Sequence, residues 1–419
     1  MIMTDNNENK VLNVPHLRFP KFSGEWEICK VSELLDFYST NSLSWEQLEY
    51  GEKAMMNLHY GLIHVGLPTM VDLRRDKLPN VKEGNMPKNF ELCKEGDVAF
   101  ADASEDTNEV AKVIELFNLD NKDIVCGLHT IHGRDNKNKT IVGFKGYAFS
   151  SSAFHNQIRR IAQGTKIYSI STKNFSECYV GIPSKAEQTK IATLLRLIDE
   201  RIATQNKIIE DLKKLKCAII EKVLNGNNAN NLRLGDVGSY IRGLTYSSDD
   251  VVEYNSTLVM RSNNIVNGNL LDYQNNVVSV NKQISQEQQL QDGDIIICMA
   301  NGSSALVGKS SFYDGKCISP ITVGAFCGIY RSKTAITKWL FQTNRYRRYI
   351  WNSLQGGNGA IANLNSEDIL RMSFPLPDKQ TAERCIKLLS SLESLIESNI
   401  SLCSKFFQQK EYLLRQMFI

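Results

Sequence analysis

Two stretches of the chain place apolar residues at alternating steps of four and three positions, the spacing that lines one face of an α-helix. The first stretch runs through Ile191, Leu195, Ile198, Ile202, Gln205, Ile209 and Leu212. The second runs through Leu388, Leu392, Leu395, Asn399, Leu402, Phe406, Gln409 and Leu413. Spacing held this regularly predicts two long helices whose apolar edges pair as an antiparallel coiled coil, and we call these edges the seam.

The polar residues Gln205 and Asn399 both fall on the seam, 194 positions apart (399 − 205 = 194). A polar residue on a coiled-coil seam can fix the register and the partner at some cost in stability. The alternative is one ordinary amphipathic helix per domain, without pairing. Two long and matching helices favour the pair.

The rest of the chain alternates short apolar runs with turn residues. The runs at 141–144, 277–280 and 294–298 predict strands, whereas the patterns at 153–162 and 337–354 predict helices. Strands mixed with separate helices in this way indicate the α+β fold class.

The chain also repeats itself. The offset is 194 between Pro183 and Pro377, 197 between Asp97 and Asp294, and 203 between Lys30 and Arg233. A proline precedes each long helix, where proline commonly marks a helix entry. The predicted organisation is a flexible N-terminal segment at 1–16, a first globular domain at 17–183, a central helix at 184–224, a linker at 225–230, a second globular domain at 231–377 and a distal helix at 378–419.

Composition narrows the class of protein. The chain has 419 residues, of which 42% are hydrophobic and 23% are charged, and this indicates folded domains. Its 10 cysteines include no C-x-x-C pair, as expected for small buried side chains in a reducing compartment. No apolar run approaches the ~20 residues of a membrane span, and no secretory signal is apparent. We therefore expect a cytoplasmic protein. The net charge of +3 neither requires nor excludes nucleic acid.

Two similar α+β domains, each followed by a long helix, resemble the DNA-specificity (S) subunit of Type I restriction–modification systems. The resemblance is carried by Gly-Ile-Pro-Ser-Lys-Ala-Glu-Gln at 181–188, which opens the central helix, and by Phe-Pro-Leu-Pro-Asp-Lys-Gln at 374–380, which opens the distal one. The distal copy departs from the pattern, because Thr381-Ala382 stands where Glu187-Gln188 stands in the first. Any contact made by the Glu-Gln pair is therefore in doubt in the second copy.

The resemblance implies a subunit without catalytic residues, in which each globular domain is a target-recognition domain that reads one half of a split double-stranded DNA site. The paired helices would separate the two domains, so an unread spacer would lie between the half-sites. Two modification (methyltransferase) subunits would dock on the helices, and motor–nuclease restriction subunits would complete the complex. S-adenosylmethionine, ATP and Mg are implied in those partners, with no cofactor in this chain.

The stretch 338–351 is the richest in basic and aromatic residues. As one helix it would place Lys338, Arg345 and Arg348 on one side, which suits contact with DNA phosphates. Arg159 and Arg160 form a weaker version of this pattern in the first domain. The alternative for these basic residues is an ordinary solvated helix face.

Reading bases requires donors and acceptors on loops that reach a groove. Loop residues with this chemistry are Ser104, Arg261, Asn263, Asn264, Asn301, Ser303, Ser304 and Lys309. Asn and Ser are also common turn residues, so turn formation is the alternative at each loop. For docking of the modification subunits, the candidates are apolar helix residues off the seam, namely Leu194, Ile208, Phe407 and Leu414.

Two motifs of other protein classes are incomplete. Residues 302–310 nearly match a phosphate-binding loop, but five residues separate the glycines where the motif has four, and a strand rather than a helix is predicted next. Cys126, His129 and His132 have i, i+3, i+6 spacing without a nearby fourth ligand, so we expect no metal site.

The sequence contains no methyltransferase, helicase or nuclease motif, which agrees with a recognition subunit. A second hypothesis is a non-enzymatic coiled-coil scaffold that binds proteins through its two globular domains. The helices fit both hypotheses equally, and sequence-dependent, salt-sensitive DNA binding would distinguish them.

Overall fold

The computed structural model describes residues 13–51, 55–224, 230–253, 256–354 and 362–419. Residues 1–12 of the expected N-terminal segment and residues 225–229 of the expected linker lie outside the described residues. The chain divides into two compact units. Met1–Asn206 with Ser401–Ile419 form the first unit, and Lys207–Ile400 form the second. Each unit therefore contains one globular domain and part of each long helix.

The strands of the first unit are β1 (Glu27–Lys30), β2 (Asp36–Tyr38), β3 (Leu48–Glu49), β4 (Met55–Leu58), β5 (Met70–Asp72), β6 (Asn80–Val81), β7 (Val98–Ala101), β8 (Ala103–Ser104), β9 (Val113–Asn118), β10 (Asp123–Cys126), β11 (Thr130–Arg134), β12 (Tyr168–Ser169) and β13 (Tyr179–Ile182). Its helices are α1 (Val31–Leu34), α2 (Tyr60–His64), α3 (Lys145–Phe149), α4 (Ser152–Ile161), α5 (Thr172–Ser176) and the first part of α6 (Lys185–Leu224).

Two sheets form the body of the first unit. Strands β2, β11, β7, β9 and β5 form a five-stranded sheet in that order, and β10, β4, β6 and β3 form a four-stranded sheet. Val71, Ala99 and Ile114 from the first sheet pack in one buried cluster with Leu58 and Ile124 from the second. Burial of these apolar side chains holds the two sheets against each other.

The strands of the second unit are β14 (Asn230–Arg233), β15 (Gly238–Arg242), β16 (Val251–Val252), β17 (Thr257–Met260), β18 (Val278–Val280), β19 (Ile295–Cys298), β20 (Ala300–Asn301), β21 (Ser310–Phe312), β22 (Ile321–Val323), β23 (Cys327–Ser332), β24 (Ala362–Asn363) and β25 (Ser373–Leu376). Its helices are α7 (Leu234–Val237), α8 (Thr337–Leu340), α9 (Asn344–Leu354), α10 (Ser366–Leu370) and part of α11 (Lys379–Gln416). β15, β23, β19 and β21 form one four-stranded sheet, and β16, β18, β17 and β22 form another.

The two units repeat one fold at the offsets found in the sequence. In the first unit β1 pairs antiparallel with β13, and in the second β14 pairs antiparallel with β25. The strands β1 and β14 are related by the offset of 203 (230 − 27 = 203), and β13 and β25 by the offset of 194 (373 − 179 = 194). The expected α+β class, with two similar domains each followed by a long helix, is confirmed.

One buried ion pair is reproduced in both units. Asp97 accepts hydrogen bonds from the Arg134 guanidinium at 2.9 and 2.8 Å. Asp294 accepts the equivalent bonds from Arg331 at 2.8 and 2.7 Å. Each aspartate also accepts a backbone N–H at 2.8 Å, at the turn that enters β7 or β19. The aspartate of the Gly-Asp motif therefore connects this turn to the neighbouring strand, β11 in the first unit and β23 in the second.

The long helices α6 and α11 pair within each unit. In the first unit the start of α6 lies beside the end of α11, and in the second unit the end of α6 lies beside the start of α11, which is the arrangement of an antiparallel pair. The predicted α6 seam is buried at every position through Ile209, whereas Leu212 is half-buried. No helix in the described part of the chain is apolar enough over a sufficient length to cross a membrane.

The α11 seam is displaced by one residue at alternate positions. Leu388, Leu395 and Leu402 are 53%, 49% and 42% exposed, and the neighbouring Leu389, Ile396 and Cys403 are buried instead. Leu392 and Leu413 are buried as expected, while Asn399 and Phe406 are half-buried. The exposed set and the buried set both keep the spacing of three and four, because an apolar residue directly follows each of the three exposed leucines. The 194-residue offset would have selected the right set, since it relates Leu195 to Leu389.

Each unit carries a cross-helix ion pair beside the seam. Lys410 of α11 lies 2.6 Å from Asp199 of α6 in the first unit. Lys216 of α6 lies 3.4 Å from Glu393 of α11 in the second. These pairs are also related by the 194 offset (393 − 199 = 194; 410 − 216 = 194). Both units therefore contain the ion pair, but the lysine comes from α11 in the first unit and from α6 in the second.

The same carboxylates bind an aromatic donor from their own globular domain. The Tyr147 hydroxyl donates to Asp199 at 2.8 Å, and the Trp339 indole N–H donates to Glu393 at 3.1 Å. Burial raises the pKa of Tyr147 well above its ordinary value, and the adjacent Asp199 charge raises it further, so the phenol keeps its proton. Both helices and a domain side chain thus meet at one carboxylate in each unit.

The Glu-Gln pair that opens α6 is buried and bound to the first domain. The Arg18 guanidinium donates to Glu187 at 2.7 and 2.8 Å, and Gln188 bonds to the backbone of Ile141 and Pro183 at 2.9 Å each. In α11, Thr381 instead bonds to the exposed Asp378 carboxylate, which caps the helix locally. The distal copy therefore lacks the contact that ties the central helix to its domain.

We expect Leu389→Ala to lower the free energy of unfolding of the second unit by about 2–5 kcal/mol, because it opens a cavity in the seam. Leu388→Ala is the matched control in the same helix, and its effect should stay within about 0.5 kcal/mol. Chemical denaturation followed by circular dichroism measures both. Equal losses would contradict the register described above.

Candidate functional site

Helix α9 presents basic and aromatic side chains at the surface of the second unit. Arg347 and Arg348 are exposed, and Trp351 is 64% exposed. Arg347 and Trp351 line a cleft of about 450 Å³ whose opposite wall includes Ser304 and Lys309. The cleft combines cations that can contact phosphate with a flat ring and a hydroxyl that can contact bases.

The predicted helix over 337–354 is interrupted. Helix α8 ends at Leu340, α9 begins at Asn344, and Thr343 caps the second helix by accepting the Tyr346 N–H at 3.2 Å. Lys338 and Arg345 therefore do not share one helix face, and Arg345 is half-buried.

Lys338 points to the long helix. Its ammonium group lies 2.6 Å from Glu393 and 3.5 Å from the centre of the Phe312 ring. These contacts give Lys338 a structural role, and the expected phosphate contact at this residue stays a prediction. The sequence analysis did not choose Arg347 and Trp351 as candidates. Both lie on the same helix as Arg348, one position before it and three positions after it, and this proximity could have included them.

A second cleft of about 440 Å³ lies in the same unit. Arg261, Tyr246 and Phe326 line it together with Ser262, and Phe326 is 66% exposed. The Asn301 amide donates to the Ser262 hydroxyl at 3.3 Å, and its carbonyl accepts the Ser303 N–H at 3.0 Å. Asn301 thus lies against Ser262, the residue after Arg261, and the cleft adds two aromatic residues that the sequence did not single out.

The two asparagines after Arg261 differ in role. Asn263 is exposed, but Asn264 is buried, with its side chain fully engaged in the fold. The Asn264 amide donates to the carbonyls of Asp272 and Asn275, and its oxygen accepts the Arg261 N–H. Asn264 is therefore a turn residue, which was the alternative for it, and it presents no free donor to a base.

The candidates in the first unit lie on helix α4 and on strand β8. Arg159 and Arg160 are exposed in the last turn of α4. Ser104 is half-buried, and its hydroxyl accepts the Asp106 N–H at 3.2 Å, as in an ordinary turn. The His155 ring lies 3.3 Å from the Thr107 carbonyl, so α4 contacts the loop after β8. Burial, reinforced by the Arg159 charge, lowers the pKa of His155 and keeps this ring neutral.

A group of stacked rings in the first unit was not predicted. The ring centres of Trp45 and His59 are 4.5 Å apart, those of His59 and Tyr60 are 4.7 Å apart, and Tyr60 meets His129 edge-on at 5.2 Å. Trp45 is 45% exposed, and His129 bonds to Asp102 at 3.2 Å. These residues come from separate loops and helices, so no local spacing in the sequence reveals them.

Two further sequence motifs can be placed. Lys309 is followed by strand β21, where a phosphate-binding loop needs the first turn of a helix, so the strand expected after this stretch is confirmed. On the long helices, Ile208 and Phe407 are 41% and 48% exposed, whereas Leu194 and Leu414 are half-buried.

A family model described as the Type I restriction modification DNA specificity domain matches residues 120–214 and 227–402. The chain belongs to this family. The two matched specificity domains contain both clefts of the second unit and both stretches that open the long helices.

Among curated specificity subunits, that of the Type I restriction enzyme EcoKI from Escherichia coli (strain K12) is 29% identical over 171 residues, which is 38% of this chain and 35% of that protein. The StySPI specificity subunit from Salmonella potsdam is 28% identical over 169 residues, with the same shares. The match thus spans about a third of the length of these relatives.

Solved structures share the fold of this specificity-domain protein over almost its whole length. The S subunit of a Type I restriction-modification system from M. genitalium has a TM-score of 0.56 at 15% identity, covering 97% of this chain and 99% of that one. A chain solved in work on complex assembly of the type I R-M system has a TM-score of 0.54 at 14% identity, with 93% and 96% covered.

We expect Asn264→Ala to lower the free energy of unfolding by about 1–3 kcal/mol, because it leaves buried backbone groups without partners. Asn263→Ala is the matched control, and it should leave stability nearly unchanged. Thermal or chemical denaturation of the full chain compares the two variants. A larger loss at position 263 would contradict the role assigned to Asn264.

Proposed function

We propose that this chain is the sequence-specific DNA-binding subunit of a Type I restriction–modification complex. The observation that carries the proposal is the duplicated domain within a DNA-specificity family: the fold, the Asp–Arg pair and the helix contacts repeat in both units. Two related domains with different surfaces suit a bipartite target, in which each domain reads its own half-site and the spacer is unread.

In the second domain, DNA contact is assigned to the two clefts. Arg347 and Lys309 line the first cleft, and with the exposed Arg348 they suit contact with phosphates. Ser304 of the first cleft and Arg261 of the second, with Asn301 bonded to Ser262 beside it, offer donors and acceptors to base edges. Asn263 and Ser303 lie on the same loops and remain candidates, as does the half-buried Arg345. In the first domain the exposed Arg159 and Arg160 have the phosphate role.

The partners are assigned by the surfaces of the helix pair. Leu197 and Leu402 are 49% and 42% exposed in the first unit, where they line a groove of about 370 Å³ with Phe406. Such apolar surface on a helix pair fits two modification subunits, with motor–nuclease subunits completing the complex. S-adenosylmethionine, ATP and Mg would then act in those partners, in the cytoplasm, while this chain supplies recognition alone.

A protein-binding scaffold is the second candidate, and the small net charge of +3 favours it. Double-stranded DNA binding across a salt series separates the two candidates, because a scaffold gives no sequence preference and little salt dependence.

We expect the double variant Arg347→Ala/Arg348→Ala to weaken DNA binding by the chain assembled with its modification subunits. The slope of log K against log salt should fall by about 2, because each phosphate contact contributes roughly 0.9. Fluorescence anisotropy at several salt concentrations measures it. Lys333→Ala, an exposed cation in the same unit outside both clefts, is the control. An unchanged slope in the double variant would remove α9 from the DNA interface.

We expect Ile208→Asp/Phe407→Asp to abolish binding of modification subunits, because charged groups would replace exposed apolar contacts on the helices. Analytical ultracentrifugation of the mixed subunits reports assembly, and circular dichroism checks that the chain remains folded. Lys213→Asp, exposed on α6, is a control for charge alone. Normal assembly of the double variant would exclude Ile208 and Phe407 from the docking surface.

A further inference from the structure

Two thiols and one imidazole meet in the interior of the first unit. Cys126 ends strand β10, His132 lies in β11, and Cys93 lies on the segment that leads to β7. Their ligand atoms all lie within 4.8 Å of one another, and the two sulfurs are 3.6 Å apart. The three residues are 2%, 1% and 5% exposed in that order, so the group is enclosed by protein.

The histidine is oriented with one nitrogen left over. Its Nε2 lies 2.8 Å from the Asp97 carboxylate, whereas Nδ1 is buried without a hydrogen-bond partner. A buried nitrogen without a partner costs free energy, so a ligand that binds the Nδ1 atom would stabilise the fold. A carboxylate that holds the far nitrogen of a histidine is also the usual second contact of a metal-bound imidazole.

The charges around the group balance when a divalent cation is bound. Asp97 is already neutralised by Arg134, which donates to both carboxylate oxygens. Two thiolates from Cys93 and Cys126 then compensate a 2+ ion without a further charge. Without a cation, two neutral thiols and an imidazole with an unused nitrogen remain.

The second unit provides an internal comparison. At the offset of 197, Leu290, Val323 and Ile329 stand where Cys93, Cys126 and His132 stand in the first unit. The backbone agrees, since the Cys93 N–H donates to the Ile124 carbonyl at 2.8 Å and the Leu290 N–H donates to the Ile321 carbonyl at 2.9 Å. The three residues of the second unit are buried and pack in one apolar cluster. All three positions thus changed character together.

We propose that Cys93, Cys126 and His132 bind a zinc ion that stabilises the first domain, a site which the second domain replaces by apolar packing. Zn–S bonds of ~2.3 Å in tetrahedral geometry separate two sulfurs by about 3.8 Å, close to the distance found here. Thiolate and imidazole are the ligands that favour zinc among common divalent ions. No fourth His, Cys or carboxylate joins the group among the described residues, so a water completes the coordination.

The bound ion joins three chain segments that are distant in sequence. It links the end of β10 to β11 and to the segment before β7, next to the Asp97–Arg134 pair. The expectation of no metal site rested on Cys126, His129 and His132. His129 in fact bonds to Asp102, and the third ligand lies 33 residues before Cys126 (126 − 93 = 33).

The test is the metal content of the full chain, purified with a thiol reductant and without chelator, by inductively coupled plasma mass spectrometry. We expect one zinc per chain. The triple variant Cys93→Leu/Cys126→Val/His132→Ile carries the side chains of the second unit at all three positions, so it should fold and lose the zinc. Cys178→Ala, a buried cysteine elsewhere in the same unit, is the control and should keep it.

A second readout does not depend on any variant. Replacing zinc by Co²⁺ in the wild-type chain should give thiolate-to-cobalt charge-transfer absorption, and the triple variant should lack it. Removal of zinc by a chelator should lower the Tm of the wild-type chain by several degrees and leave that of the triple variant unchanged. Substoichiometric zinc, zinc retained by the triple variant, or a Cys93–Cys126 disulfide in the reduced protein would each overturn the proposal.

Discussion

The structure depends on a lysine that lies beside the apolar seam in each unit. A charged group in this position requires a partner of opposite charge. Lys410 meets Asp199 in the first unit, and Lys216 meets Glu393 in the second. Removal of Lys410 would leave the Asp199 carboxylate without its lysine partner, whereas Glu393 would keep Lys338, which lies 2.6 Å away. Because Tyr147 or Trp339 binds the same carboxylate, the domain and both helices of a unit are ordered by one interaction. A helix pair held only by apolar contacts could slide by a heptad, whereas a paired lysine fixes its register.

Duplication explains why the scaffold is constant and the surfaces differ. The Asp97–Arg134 and Asp294–Arg331 pairs fix the same turn to the same strand, so each domain can change its loops without losing the sheet. Surface loops and exposed helix turns tolerate such changes better than packed strands do. The clefts beside α9 and Arg261 are lined by loop and helix residues of the second unit.

The fold class and the two long helices could be predicted from the sequence, because the repeat shows the same pattern twice in one chain. The three offsets related the helix entries and the Gly-Asp turns of the two copies, and the structure adds that the related segments include paired strands. The errors arose where local patterns allow two answers: Leu388 and Leu389 both satisfy a helical seam, and only packing decides between them. The interruption between α8 and α9 depends on Thr343, whose hydroxyl bonds both to the Leu340 carbonyl and to the Tyr346 N–H. Such capping competes with helix continuation on a scale of about 1 kcal/mol, too small for a periodicity pattern to resolve.

Long-range contacts set the other limit. The rings around His59 and the group formed by Cys93, Cys126 and His132 come from different segments, so no window of neighbouring residues contains either one. Comparison of the two domains nevertheless gives a rule that a sequence can supply. In some buried positions one copy has apolar residues and the other copy has polar residues of related chemistry. The polar residues must then find their partners inside the protein, because water cannot reach them. Leu290, Val323 and Ile329 pack in one apolar cluster, and Cys93, Cys126 and His132 would find their common partner in the proposed zinc ion.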